Sequence, residues 1–322
     1  MTLSQGQPLS MVGMTKRRRN STSEVSGQRT SYGARAVIDG AGQGPHDRAG
    51  TGMPGGGGER IESGDGTVRH FMVHHDGVTI PVSRGGRGRP LVLCPGLNST
   101  QADLHGLTAL LRRDHDVVTF DLRGHGLASA ADRYSFAAFL SDLVAVMAEL
   151  ELPSPPALVG YSLGADLAVH YASERPGDIA ELVLIDGANP LPEPFITDTD
   201  LAVFRDMAED LATEAQWSKG TARQVLLTAQ DIHDLNLEMD VVRAAILDRY
   251  RKIDRPISMI MSASPAGDST EGRAPRHNRL WRAGIGRLVG DRPQISTSWL
   301  DADHRLVFTH APEIAEIIRT TR

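Results

Sequence analysis

Ser162 lies in a five-residue sequence, Gly-Tyr-Ser-Leu-Gly at positions 160–164, that fits the G-x-S-x-G pattern of serine nucleophiles. An apolar run predicts a strand over residues 157–160, and apolar spacing predicts a helix over about residues 163–173. A sharp strand-to-helix turn requires small flanking residues and raises the serine hydroxyl above the sheet. We therefore predict that Ser162 is a nucleophile; a serine in an ordinary glycine-flanked turn is the alternative.

A serine hydroxyl needs a general base, and His304 is the histidine best placed to provide one. His304 follows the last predicted strand and precedes the closing helix, so we expect it in a loop at the same sheet edge as Ser162. His310 and His125 are the other candidates. We interpret His125 as structural, because it belongs to a glycine-containing tight turn at residues 121–126 whose polar side chains can hydrogen-bond to backbone.

The imidazole in turn needs a carboxylate that fixes its tautomer and stabilises its cation. Asp268 is our first choice, since it follows the predicted strand at residues 257–261 and preserves the chain order Ser, Asp, His. Asp186, at the end of the preceding strand, is the alternative acid, and Glu271 is a third possibility. No group of His, Asp and Glu residues has the spacing of a metal site, so we expect neither a metal nor a cofactor.

Acyl transfer also requires donors that point at the developing oxyanion. The backbone N–H of Leu163, at a helix N-terminus directly after Ser162, is one candidate. The backbone N–H of Leu97, after a Pro-Gly turn, is the other. Asn98 either adds a side-chain donor or caps the next helix.

The rest of the chain alternates predicted strands with predicted helices. Runs at residues 68–73 and 78–82 predict a hairpin, and helical spacing without strands over residues 188–254 predicts a helical cap inserted over the sheet. Repeated βα units predict an α/β fold with a mostly parallel central sheet and helices on both faces. Further strands are predicted at residues 91–94, 117–120, 157–160, 182–185, 257–261 and 294–298. The core then comprises residues 65–187 and 255–322.

Composition limits the classes of partner. Residues 1–64 are rich in Gly, Ser, Thr and Arg without apolar periodicity, which predicts a disordered tail. A net charge of −6 and a pI near 6.1 argue against nucleic-acid binding and leave a small molecule as the expected partner. The single cysteine, Cys94, fits a cytoplasmic protein, and no apolar run is long enough to predict a membrane span.

Four segments together resemble the α/β-hydrolase superfamily, specifically its capped serine esterase and thioesterase branch. They are the oxyanion turn at residues 93–97, the D-x-R-G-x-G loop at 121–126, the nucleophile turn at 160–164 and the histidine loop at 303–304. Two features depart from the family pattern. Pro95-Gly96 replaces its usual His-Gly, and the acid loop at residues 262–268 differs from its short Gly-x-x-Asp.

The resemblance implies a serine hydrolase that cleaves a carboxylic ester or thioester of a small molecule through a Ser162 acyl-enzyme. Two alternatives stay open at this point. One is a lyase, cyclase or C–C bond hydrolase of specialised metabolism on the same fold, and the other is a member that binds a ligand without turnover.

Overall fold

The computed structural model describes residues 68–320. The predicted tail, residues 1–64, lies outside the described residues. No helix between residues 68 and 320 combines the length and the apolar character needed to cross a bilayer.

The described residues form one eight-stranded sheet. Its strands are β1 Arg69–His75, β2 Val78–Gly86, β3 Arg89–Cys94, β4 His115–Phe120, β5 Ala157–Tyr161, β6 Glu181–Ile185, β7 Ile257–Ser262 and β8 Ser296–Leu300. The strand order in the sheet is β1-β2-β4-β3-β5-β6-β7-β8. Strands β1 and β2 form the predicted hairpin, and β2 pairs antiparallel with β4, whereas all pairs from β4 to β8 are parallel. The mostly parallel sheet of the α/β prediction is therefore confirmed.

Helices cover both faces of this sheet, because the central strands are apolar on both sides. The helices are α1 His105–Leu111, α2 Phe136–Glu149, α3 Leu163–Glu174, α4 Leu201–Ala215, α5 Ala229–Ala245, α6 Leu247–Tyr250, α7 Ala274–Asp291, α8 Leu306–Thr309 and α9 Ala311–Thr320. In β3, Leu91 and Leu93 pack in one cluster with α1 and α9, whereas Val92 packs in a second cluster with α2 and α3.

Residues 188–254, between β6 and β7, contain α4, α5 and α6. Helix α4 packs against α5, while α5 and α6 also contact α3. A buried ion pair attaches α5 to α3: Arg243 Nη2 donates to Asp166 Oδ2 at 2.8 Å, and its guanidinium lies 5.6 Å from the ring centre of Trp281. The inserted segment is helical in this structure, and its role as a cap over substrate stays a prediction.

The turn at residues 121–126 is held from two sides. Asp121 accepts backbone N–H groups of Gln101 at 2.8 Å and Leu127 at 3.1 Å, as predicted for a polar side chain that stabilises a turn. Arg123 instead forms a buried bidentate pair with Asp142 of α2, with both N–O distances at 2.7 Å. Burial raises the pKa of Asp142, so this carboxylate depends on Arg123 to stay ionised.

We expect Arg123→Met to lower the free energy of unfolding by about 3–5 kcal/mol, because it leaves the Asp142 carboxylate buried without a counter-ion. Urea denaturation at neutral pH measures this loss. The double variant Arg123→Met/Asp142→Leu removes both charges and should recover most of it. A double variant as unstable as the single one would contradict the role assigned to the pair.

Candidate active site

Ser162 occupies the bend between β5 and α3 in a strained backbone conformation, with φ of 52° and ψ of −119°. The bend is tightly enclosed. A Cβ on Gly160 would lie 2.3 Å from the carbonyl oxygen of Gly164, and a Cβ on Gly164 would lie 2.3 Å from that of Cys94. Only glycine fits at either position, so packing requires the two glycines that flank Ser162.

The bend brings Ser162 to His304, as expected from their positions at one sheet edge. The Nε2 atom of His304 lies 2.9 Å from Ser162 Oγ. On the other side of the ring, Nδ1 lies 2.7 Å from Oδ2 of Asp186. Both His304 and Asp186 are buried. Because a carboxylate accepts hydrogen bonds, Nδ1 carries the proton and Nε2 is free to accept the hydroxyl proton of Ser162.

The Asp186 carboxylate accepts three further hydrogen bonds. Ser262, the last residue of β7, donates its backbone N–H to Oδ1 at 3.0 Å and its hydroxyl to Oδ2 at 2.6 Å. The indole Nε1–H of Trp281 in α7 donates to Oδ1 at 2.9 Å. Both carboxylate oxygens are thereby satisfied, and the orientation towards His304 is fixed.

The carboxylate hydrogen-bonded to His304 is that of Asp186 and not that of Asp268, our first choice of acid. Asp268 is exposed and lies in the loop between β7 and α7. Asn278 of α7 holds this loop, accepting from the N–H of Ala266 at 2.9 Å and donating to the carbonyl of Gly267 at 2.9 Å. Asp268 therefore follows a segment tied to α7, and the alternative acid, Asp186, occupies the place beside the imidazole.

Three other candidates from the sequence lie elsewhere. Glu271 is exposed in the same loop as Asp268. His310 lies beyond α8, where its Nδ1 is 2.8 Å from Oγ1 of Thr309. His125 is fully buried, with Nδ1 2.9 Å from the carbonyl oxygen of Arg123.

His125 supports the turn that lies against Ser162, which agrees with our structural interpretation. Its Nε2 accepts the backbone N–H of Asn98 at 3.2 Å, so Nδ1 carries the ring proton. Burial lowers the pKa of His125 to about 4, which keeps the ring neutral at physiological pH. The imidazole is thus a fixed acceptor that holds the turn at residues 95–98.

This turn carries Leu97, one of the two candidate N–H donors. A Cβ on Gly96 would lie 3.0 Å from Ser162 Cβ, so the turn packs directly on the serine. Leu97 follows, and its N–H makes no hydrogen bond with residues 68–320. Leu163 is the first residue of α3, where N–H groups lack an intrahelical acceptor. Asn98 does not cap α1, which begins at His105.

A cavity of about 420 Å³ adjoins His304. The core contributes Leu97, Tyr161 and Phe308, and the inserted segment contributes Leu211 and Trp217 among others. The site therefore has a mostly apolar recess of a size that suits a small molecule. No group of three or more His, Cys, Asp or Glu side chains in the described part of the chain is arranged to hold a metal ion.

Two contributors to the site were missed by sequence reasoning. Ser262 was seen only as the start of the acid loop, although its position at the end of β7 places it beside the end of β6 in a parallel sheet. Trp281 lies in α7, which begins at Ala274. The apolar period of α7 could have indicated that Trp281 faces the sheet.

A family model for the α/β hydrolase fold matches residues 89–280, more than half of the chain. Among curated proteins, N-formylmaleamate deformylase of Pseudomonas putida is 30% identical over 182 residues, which are 53% of this chain and 65% of the deformylase. An sn-1-specific diacylglycerol lipase of Xenopus laevis is 26% identical over 140 residues, which are 43% of this chain and 44% of the lipase. The match thus spans less than two thirds of the length of these relatives.

Solved structures resemble the chain over most of their own length. An esterase from Exiguobacterium antarcticum superposes with a TM-score of 0.61 at 15% identity, covering 78% of this chain and 98% of the esterase. The thioesterase domain from the curacin biosynthetic pathway gives a TM-score of 0.55 at 19% identity, covering 79% of this chain and 100% of the thioesterase domain. At these identities the likeness shows a common fold.

The buried neutral His125 makes stability depend on pH. An unfolded chain protonates this residue near pH 6.5, whereas the native ring resists protonation down to about pH 4. Its contribution is therefore complete above pH 6.5 and is lost as the pH falls towards 4. We expect His125→Gln to flatten the fall of the unfolding free energy in this window by up to about 1.4 kcal/mol per pH unit.

Urea denaturation at a series of pH values measures this slope. Phe139→Leu is the matched control, because the Phe139 ring lies 6.1 Å from that of His125 and does not titrate. It should lower stability without changing the slope. An unchanged slope in His125→Gln would contradict the prediction.

Proposed function

Because the chain belongs to the α/β-hydrolase fold family, we propose that it is a serine hydrolase that cleaves a carboxylic ester or thioester of a small molecule. The observation that carries this proposal is the hydrogen-bonded series from Ser162 through His304 to Asp186, with distances of 2.9 and 2.7 Å. The site supplies a nucleophile, a base and an orienting acid in contact, which is the minimum set for acyl transfer through serine.

In the acylation step, Ser162 Oγ attacks the acyl carbonyl while His304 Nε2 takes the hydroxyl proton. The imidazolium that forms is stabilised by Asp186 through the Nδ1–H hydrogen bond. The backbone N–H groups of Leu97 and Leu163 stabilise the negative charge on the carbonyl oxygen. They suit this role because Leu163 directly follows Ser162, and the turn that carries Leu97 packs against Ser162 at Gly96.

Collapse of the tetrahedral intermediate breaks the bond to the leaving group, which receives its proton from His304. Water then attacks the Ser162 acyl-enzyme with His304 as base, and the acid product leaves when Ser162 regains its proton. The chemistry uses only this chain's own residues and one water per turnover.

The substrate class follows from the cavity and from the relatives. A recess of about 420 Å³ beside His304 favours a small acyl compound. The matched relatives are named as a deformylase and a lipase, and the structural neighbours as an esterase and a thioesterase, and these names support a hydrolase. A cytoplasmic location, inferred from cysteine content, is part of the same proposal.

A fluorophosphonate probe should label the wild-type protein and leave Ser162→Ala unlabelled, because only an activated serine reacts with it. We expect Ser162→Ala to reduce kcat on a cleaved ester by on the order of a millionfold. Ser99→Ala is the matched control, since Ser99 lines the same cavity and should not affect labelling.

Equal labelling of wild type and Ser162→Ala would refute the proposed nucleophile. Labelling without turnover of a broad ester and thioester panel would favour a lyase, cyclase or C–C bond hydrolase instead. If the wild type is neither labelled by the probe nor active on any ester or thioester, and a ligand still stabilises Ser162→Ala, a binding protein would be favoured.

Asp186→Asn should reduce kcat by on the order of ten-thousandfold, because an amide donor opposite Nδ1 favours the wrong imidazole tautomer. Steady-state kinetics on the best ester of the panel provides the measurement, with circular dichroism to verify folding. Asp268→Asn, which changes an exposed loop residue, should keep the wild-type kcat. The reverse ranking of the two variants would restore Asp268 as the acid.

A further inference from the structure

Arg305 directly follows His304 and lines the cavity beside it. Its backbone N–H donates to Oδ1 of Asp303 at 2.8 Å, which fixes the residue at the start of α8. The guanidinium lies over the ring of Phe308, 6.0 Å from the ring centre. Arg305 therefore presents a positive charge at a defined place next to the proposed general base.

Four charged side chains line the cavity, namely Asp103, Glu214, Arg223 and Arg305. Arg223 and Asp103 form an ion pair with each other, and Asp103 also accepts the hydroxyl of Thr100 at 2.7 Å. These two charges are already compensated within the protein.

Arg305 differs from Arg223 because it makes no ion pair with any residue between 68 and 320. Its Nε is enclosed and has no hydrogen-bond acceptor among these residues. An enclosed Nε without an acceptor is unfavourable, whereas the two terminal nitrogens of this half-buried side chain are not enclosed, and their planar donors match the two oxygens of a carboxylate. The ring of Phe308 limits the orientations that the guanidinium can adopt.

We propose that Arg305 binds a carboxylate of the substrate, so that the enzyme prefers esters or thioesters that carry an acidic group. This inference rests on the proposed hydrolase function and adds the class of substrate. Glu214, which also lines the cavity, favours a singly charged carboxylate over a doubly charged phosphate because it repels excess negative charge.

The carboxylate can belong to the acyl part or to the leaving group, and two matched ester pairs distinguish these sources. Para-nitrophenyl hemiglutarate against para-nitrophenyl pentanoate places the charge on the acyl part. Para-acetoxybenzoate against para-acetoxybenzamide places it on the leaving group. For each pair the ratio of kcat/KM for the charged ester to that for the neutral ester is compared between variants, so intrinsic differences in reactivity cancel.

We expect Arg305→Gln to lower this ratio by about ten- to a hundredfold for at least one pair, the range for a lost charge-assisted hydrogen bond. Arg305→Lys should retain part of the preference, since it keeps the charge and loses the planar fork. Glu214→Gln should raise the ratio. The control Arg279→Gln, which alters an exposed arginine of α7 outside the cavity lining, should leave it unchanged.

Glutarate provides a readout that needs no turnover. It should raise the melting temperature of wild type and of Ser162→Ala, and should have little effect on Arg305→Gln. Ratios that are equal in wild type and Arg305→Gln for both pairs, or glutarate stabilisation that survives in Arg305→Gln, would overturn the inference.

Failure of the proposed function has a different signature. No turnover of any of the four esters and no probe labelling at Ser162 would reject the hydrolase, and Arg305-dependent glutarate stabilisation would then still support the carboxylate site. Turnover that is independent of Arg305 would reject the carboxylate site alone.

Discussion

Four hydrogen bonds converge on the Asp186 carboxylate, which is completely buried. Removing a carboxylate from water costs several kcal/mol unless donors replace the lost hydration. The donors come from the end of β7, from α7 and from the loop that carries His304. These elements lie far from Asp186 in the sequence. All three must be placed correctly against the end of β6 for the Asp186 carboxylate to accept its four hydrogen bonds. One of the hydrogen bonds that stabilise the Asp186 carboxylate comes from His304, and this bond also orients the imidazole.

A second constraint is steric and acts at Ser162. The bend at Ser162 packs against the ends of β3 and β5, and the closest approaches leave no space for a Cβ at Gly160 or Gly164. Backbone strain at Ser162 is therefore tolerated because the surrounding strands and the turn at residues 95–98 allow no relaxed alternative. His125 contributes from the far side of that turn as a neutral acceptor for Asn98.

The sequence predicted those site residues that have a characteristic local pattern around them. Ser162 has glycines at fixed spacing and a strand-to-helix context, and His304 follows a strand near the chain end, so both could be predicted. The acid could not be decided, because chain order admits Asp186 as well as Asp268. The deciding quantity was the distance from a strand end: Asp186 directly follows β6, whereas Asp268 lies in a loop that Asn278 ties to α7. The contribution of Trp281 depends on which face α7 packs on the sheet, and the cavity depends on the tertiary placement of residues 188–254.

The Arg243–Asp166 pair separates the inserted segment into two parts with different freedom to change. Asp166 lies one helical turn after Ser162, so a buried charge pair anchors α5 close to Ser162. The part of the cavity wall that the inserted segment contributes, by contrast, includes Leu211 of α4 and Trp217, which follows α4. Leu211 is buried in a helix that packs against α5, whereas Trp217 is exposed. Substitutions at Trp217 can therefore change the shape of the recess while Ser162, His304 and Asp186 keep their geometry.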